Sequence, residues 1–202
     1  MNKRAIFILL SLFYSAASFA QPGKTQDDHN DLRFSPRGLK ASLSSLSVGM
    51  TDERNVDDGE GAALSLGYGF TDRFTLWLTL LGSEHNSKAT GASQMDFGGL
   101  ELSVQHKFQT DTRWQPYGRI GGGVYSLRNK GTDVELIGAG LTIGLGVDFF
   151  FSKHVGVGAE LSFKKLDYFE ERTPEAGGDF LKELNPDLNG DAGAFMLTLT
   201  LQ

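Results

Sequence analysis

Three groups of residues in this 202-residue chain have the types and spacing for chemistry. Ser83, Glu84 and His85 stand in a row with Ser87 close by, and hydroxyl, carboxylate and imidazole are the parts of an ester-hydrolysis or acyl-transfer site. Neighbouring residues of a strand point to opposite faces, so this run is not expected to form a triad, and no catalytic residue is assigned. The other histidines offer no partner set: His29 precedes the patterned region, His106 sits on an apolar phase and His154 in a turn. Asp187, Asn189 and Asp191 alternate like calcium ligands, but the glycine is misplaced and no glutamate follows at the required spacing. No metal, cofactor or enzymatic activity is therefore expected. The third group is seven charges, Lys40, Glu101, Lys107, Arg119, Asp148, Glu160 and Lys164, each on the polar phase of an alternating apolar segment. If those phases face one interior the charges must pair, because an unpaired buried ion costs several kcal/mol. A salt-bridge plug and an ion-pair gate are both open to such a set.

The segments that carry these charges have a two-residue period. Leu141, Ile143, Leu145, Val147, Phe149 and Phe151 alternate with Thr142, Gly144, Gly146 and Asp148; after Ser152-Lys153-His154 the pattern resumes from Val155 to Phe163. This predicts an antiparallel hairpin with arms of membrane-spanning length. Similar alternation begins at Gly38, 62, 74, 100, 117 and 194, which makes eight strands in all. In the first strand the apolar phase shifts between Leu43 and Leu46, and a bulge near Ser44-Ser45 is expected there. In the fifth, Gly118, Ile120, Gly122 and Val124 are assigned outward and Arg119 inward.

Lys3 and Arg4 precede the apolar run Ala5 to Tyr14, and Ser18 and Ala20 are small residues at the -3 and -1 positions of a secretory signal ending at Ala20. Residues 1–20 are read as signal peptide, 21–37 as a flexible leader and 38–202 as one barrel domain. The chain has no cysteine, so thiolate and disulfide chemistry are excluded. Of 19 basic and 25 acidic residues, the signal holds two basic and no acidic ones, which leaves 17 against 25 and a net charge of -8. Nucleic acid is not an expected partner. No helical stretch of spanning length follows the signal, so a mature membrane protein must cross as a closed barrel.

Short joints are expected at 71–73, 109–113 and 152–154, and long polar ones at 51–60, 82–96, 127–135 and 169–191, the asymmetry of outer-membrane barrels. Tyr68, Phe70, Phe74, Phe108, Trp114, Tyr117, Phe149 and Phe151 cluster near the short joints and are assigned to one interfacial girdle. The uncharged apolar phases of several strands, set against small polar residues opposite, favour lipid outside over a soluble, ligand-holding barrel. The loops are acidic: 51–60 carries Asp52, Glu53, Asp57, Asp58 and Glu60 against Arg54, and 169–191 carries seven acids against Arg172 and Lys182. Within the latter, Gly178 to Leu184 is read as a short helix.

With these features in place, and on the segments QPYGRIGGGVY and FSKHVGVGAELSFKKLDYF, the mature chain resembles the small OmpA/OmpX-type outer-membrane barrels over nearly its whole length. The resemblance implies an all-β, closed, antiparallel eight-stranded transmembrane barrel in the outer membrane of a Gram-negative cell. It also implies periplasmic chaperones and the barrel-assembly machinery as partners during insertion, then outer-membrane lipid and lipopolysaccharide around a monomer. The family commonly ends in an aromatic residue where this chain ends Leu201-Gln202, so less efficient insertion is expected, and neither a peptidoglycan-binding domain nor its cell-wall tether is expected. The expected role is structural or surface interaction through the acidic loops. The alternative is a narrow, porin-like channel gated by the lumen salt bridges, and a lipid-modifying enzyme is the remaining one.

Overall fold

The structure, a computed structural model, describes residues 37–51, 57–86, 94–175 and 178–202. The signal segment, the leader up to residue 36, Ser87 and the loop acids Asp52 and Glu53 lie outside them. Eight strands follow in order: β1 Gly38–Thr51, β2 Gly59–Gly69, β3 Phe74–Asn86, β4 Gln94–Lys107, β5 Trp114–Asn129, β6 Glu135–Phe150, β7 Val155–Glu175 and β8 Gly178–Leu201. Each pairs antiparallel with its neighbour, and β8 closes on β1, so no sheet edge remains at membrane depth. Leu43, Leu64, Leu80, Leu100, Ile143 and Leu197 point outward and are exposed, which is the arrangement lipid stabilises and water does not.

The expected bulge in β1 is absent. From Gly38↔Gly69 to Val48↔Gly59 every residue has one partner, so none is extra and the phase cannot slip. Leu46 and Val48 therefore face the interior, and Ser45 and Ser47 face outward. The sequence pattern changes because the environment changes along the strand: the long-loop half of the interior is apolar, and the outer wall there nears the membrane surface.

A second correction concerns residues 169–191, which are largely a hairpin. Gly178 to Leu184 is extended, with Phe180↔Thr173, Leu181↔Arg172, Lys182↔Glu171 and Glu183↔Glu170, so cross-strand pairing overrides the local helical pattern. Between Glu170↔Glu183 and Tyr168↔Leu188, four residues of β8, 184–187, stand opposite Phe169 alone. Pro186 fits this interruption, since it has no N–H to give the ladder. The loop between β5 and β6 likewise shortens to a turn at 130–134.

Candidate functional site

The lumen is filled in layers. At the short-turn end the Lys107 ammonium donates to Gln115 Oε1 at 2.7 Å, lies 3.5 Å from Asp148 and stands 4.6 Å over the Phe150 ring. Phe150 is fully enclosed, because the middle phenylalanine of the Phe149-Phe150-Phe151 run falls on the inward phase between two outward ones. Gln115 Nε2 donates to the carbonyls of Thr110 and Thr112, which ties the floor to the neighbouring turn. Lys40 donates to Gln202 Oε1 at 3.0 Å.

One layer higher, Arg119 Nε lies 3.3 Å from Glu160 Oε2, and the same oxygen accepts from Tyr117 Oη at 2.8 Å. The guanidinium also stands 5.8 Å from the rings of Trp77 and Tyr117, and Trp77 Nε1 donates to Gln105 Oε1 at 2.7 Å. Above these, Lys164 is ion-paired and hydrogen-bonded to Glu101, which also accepts from Tyr125 Oη at 2.9 Å; Thr142 closes the group, 3.0 Å from Tyr125 Oη. The pairs are thus Lys107 with Asp148, Arg119 with Glu160, and Lys164 with Glu101. All seven predicted charges point into the lumen, and three acids meet three bases at successive depths.

Glycines make this filling possible. A Cβ on Gly67 would stand 2.6 Å from the Trp77 ring, one on Gly146 would stand 2.5 Å from Tyr117 Oη, and one on Gly144 would stand 2.9 Å from Glu160 Oε1. The large side chain on one strand lies across the bare backbone of the next. Ser103 Oγ, Ser162 Oγ and Glu160 Oε1 are buried without a hydrogen-bond partner, which marks the middle layer as the least satisfied.

The long-loop half of the lumen is different. Leu46, Val48, Ala63, Leu81, Met95, Phe97, Tyr125, Leu127, Leu136, Leu166, Tyr168, Ala192, Ala194 and Met196 form one buried cluster, with Phe97 and Tyr125 stacked at 5.7 Å. This apolar plug is not expected from the sequence, whose inward phases are read as small polar residues interspersed with seven charges. Leu81, Phe97 and Leu127 do lie on the inward phases of their strands, and their spacing was the available signal.

Tyr117 is corrected from girdle to lumen: it is 2% exposed and bonded to Glu160. Proximity to a short turn had placed it, but its phase follows Gln115 and Arg119, not Trp114. The remaining girdle residues Tyr68, Phe70, Phe74, Phe108, Trp114, Phe149 and Phe151 lie on the outer wall, with Trp114 and Phe149 4.7 Å apart and Phe149 and Phe151 5.1 Å apart.

Ser83 and His85 lie on β3 and not in a loop; both face inward while Glu84 faces out. Ser83 Oγ is 2.9 Å from His85 Nε2, and His85 Nδ1 is 3.0 Å from the Asp57 carbonyl oxygen. Positions two apart on a strand share a face, so Ser83 and His85 meet where the adjacent pairs of this run do not. The imidazole is 1% exposed and fills the space left by Gly59, so it fastens the start of β2 to β3. Outside, Lys130 bridges Asp96 at 2.9 Å and Glu84 at 3.1 Å; hydrogen bonding to Asp96, then Glu84, raises its ammonium above the usual lysine range.

Comparison with curated protein sequences returns no match. Among solved structures the chain is similar to Neisserial surface protein A (TM-score 0.59, 14% identity, 81% of this chain and 96% of that one). It is also similar to OprG of Pseudomonas aeruginosa (0.56, 14%, 84% and 98%) and to Ail, the attachment invasion locus protein of Yersinia pestis (0.51, 13%, 82% and 99%). At these identities the likeness is one of fold. The sequence model that describes the outer membrane protein beta-barrel domain matches residues 6–199, nearly the whole chain, and the protein belongs to that family.

Proposed function

We propose that the protein is a non-enzymatic outer-membrane barrel, exported on its N-terminal signal, whose role is surface interaction through its acidic long-loop end. The observation that carries this reading is the β7–β8 arm. Pairing of β1 with β8 ends at Thr51↔Asp191, whereas β8 continues back to Gly178 on β7 alone. Among the described residues, the outer edge of β8 from 178 to 190 has no strand partner, and an unpaired edge can receive an extended segment of another protein. Residues 165–191 hold eight acids (Asp167, Glu170, Glu171, Glu175, Asp179, Glu183, Asp187 and Asp191) against Lys165, Arg172 and Lys182. Such an arm suits a cationic, extended partner. It does not suit a polyanion such as the sucrose octasulfate with which Ail has been crystallised.

The filled lumen favours this role over a channel, since three ion-paired layers and an apolar plug lie across the path that a solute would take. Binding of a fluorescent, lysine-rich extended peptide to whole cells tests the reading. Cells carrying a chain in which 170–187 is replaced by a two-residue turn are expected to lose binding while keeping the heat-modifiable gel shift of a folded barrel. Equal binding by both chains would count against it.

A further inference from the structure

The described residues hold a cleft of about 430 Å³ at the short-turn end, between the turns that join β2 to β3 and β4 to β5. Arg37, Asp72, Arg73, Phe74, Thr110 and Asp111 line it. Its volume falls within the roughly 300–1,000 Å³ of small-ligand sites. Phe74 fixes its depth: the ring belongs to the lipid-facing girdle and lies 4.6 Å from that of His106. The cleft thus opens where lipid headgroups sit.

Both turns are held in place before any ligand arrives. Thr71 Oγ1 accepts from the N–H groups of Arg73 and Phe74 at 3.2 and 3.0 Å, and the Arg73 carbonyl accepts from Lys107 N at 2.8 Å. Gln115, itself buried, grips the Thr110–Thr112 turn from the lumen. Arg37 and Asp72 stand 3.6 Å apart with the Arg37 side chain 68% exposed, and so exposed a pair stabilises little. Two guanidiniums and two carboxylates on one fixed, interfacial cleft form a neutral, zwitterionic surface.

We propose that this cleft binds the phosphoethanolamine headgroup of an inner-leaflet phospholipid. A guanidinium can donate two parallel hydrogen bonds to a phosphate, and a primary ammonium can donate to Asp111 or Asp72. A quaternary choline has no N–H to give, and a glycerol headgroup leaves the carboxylates beside an anion without a cation. The proposal rests on the short turns lying at the inner leaflet, as the proposed function has them.

Native mass spectrometry of the full chain, refolded in detergent and offered an equimolar mixture of phosphatidylethanolamine, phosphatidylglycerol and phosphatidylcholine, tests it. The protein is expected to retain phosphatidylethanolamine about tenfold over the other two. Arg73→Gln with Asp111→Asn should abolish the preference, and Arg128→Gln with Asp133→Asn at the opposite rim should leave it intact. Soluble phosphoethanolamine should displace the lipid where inorganic phosphate does not. Equal retention of the three lipids, an unchanged preference in the Arg73→Gln, Asp111→Asn variant, or equal displacement by inorganic phosphate would overturn the proposal. A heat-modifiable gel shift in every sample shows that the barrel is folded. Trypsin cutting at Arg73 on intact cells would instead refute the orientation, independently of lipid binding.

Discussion

Lys164→Met probes whether the lumen is dry. The Lys164 and Glu101 side chains are 3% and 5% exposed, and removing the ammonium leaves the Glu101 carboxyl group without its cation and with one neutral donor, Tyr125 Oη. Breaking one side of such a buried pair costs about 3–5 kcal/mol, a large share of the roughly 5–15 kcal/mol that holds a domain together. Glu101→Gln alone strands the ammonium and should cost about 3 kcal/mol for the same reason. In the double variant neither charge remains, and the amide oxygen introduced by Glu101→Gln still accepts from Tyr125. The double change should then cost no more than either single change, rather than the sum of about 6–8 kcal/mol, which leaves a coupling of at least about 3 kcal/mol. Equilibrium unfolding in urea, from detergent or vesicles and followed by Trp77 and Trp114 fluorescence, reads these differences. At a slope of about 1–3 kcal/mol per molar, 3 kcal/mol moves the midpoint by about 1–3 M. Additive single effects below about 1 kcal/mol, as for solvated pairs, would refute the argument, because they would mean that water reaches the pair.

Other expectations follow from the same geometry. Leu145→Arg places a cation on the lipid face at a cost of about 2–4 kcal/mol and should impair assembly, seen as loss of the heat-modifiable gel shift, whereas Thr142→Ser keeps its hydroxyl in the lumen and should not. Gly67→Ala drives a methyl into the Trp77 ring and should destabilise the barrel by about 1–3 kcal/mol in urea unfolding, with a shifted Trp77 emission as the local sign. Phe97→Ala, which empties the centre of the apolar plug, should cost about 3–5 kcal/mol in the same unfolding measurement.

The strand order and the inward direction of the seven charges were legible because a two-residue period is written directly into each strand. Gly118, Ile120, Gly122 and Val124 could be set outward and Arg119 inward from phase alone, even across a glycine run and a proline. Phase was obscured where the environment varied along a strand. Leu46 and Val48 carry apolar side chains on the inward phase because the upper lumen is itself apolar, so an apolar residue there does not mark a lipid face. Tyr117 lies close to a turn, as girdle residues do, but the phase it shares with Gln115 and Arg119 turns it inward. Which charges pair was not legible, since Lys107 with Asp148 and Lys164 with Glu101 depend on register between strands up to 63 positions apart. The β7–β8 arm was hidden for a different reason: its apolar residues Phe169, Phe180, Leu181, Leu184 and Leu188 keep no two-residue period, so there is no strand alternation to read.

The most direct test of a filled, non-conducting barrel is single-channel recording across a planar bilayer, with insertion verified independently by protease protection. The layered lumen predicts no resolvable current from well-inserted protein over the ordinary voltage range. Reproducible ohmic steps that disappear in a Phe97→Trp variant, in which a larger ring stands in the same plug, would contradict it and establish a pore through the lumen.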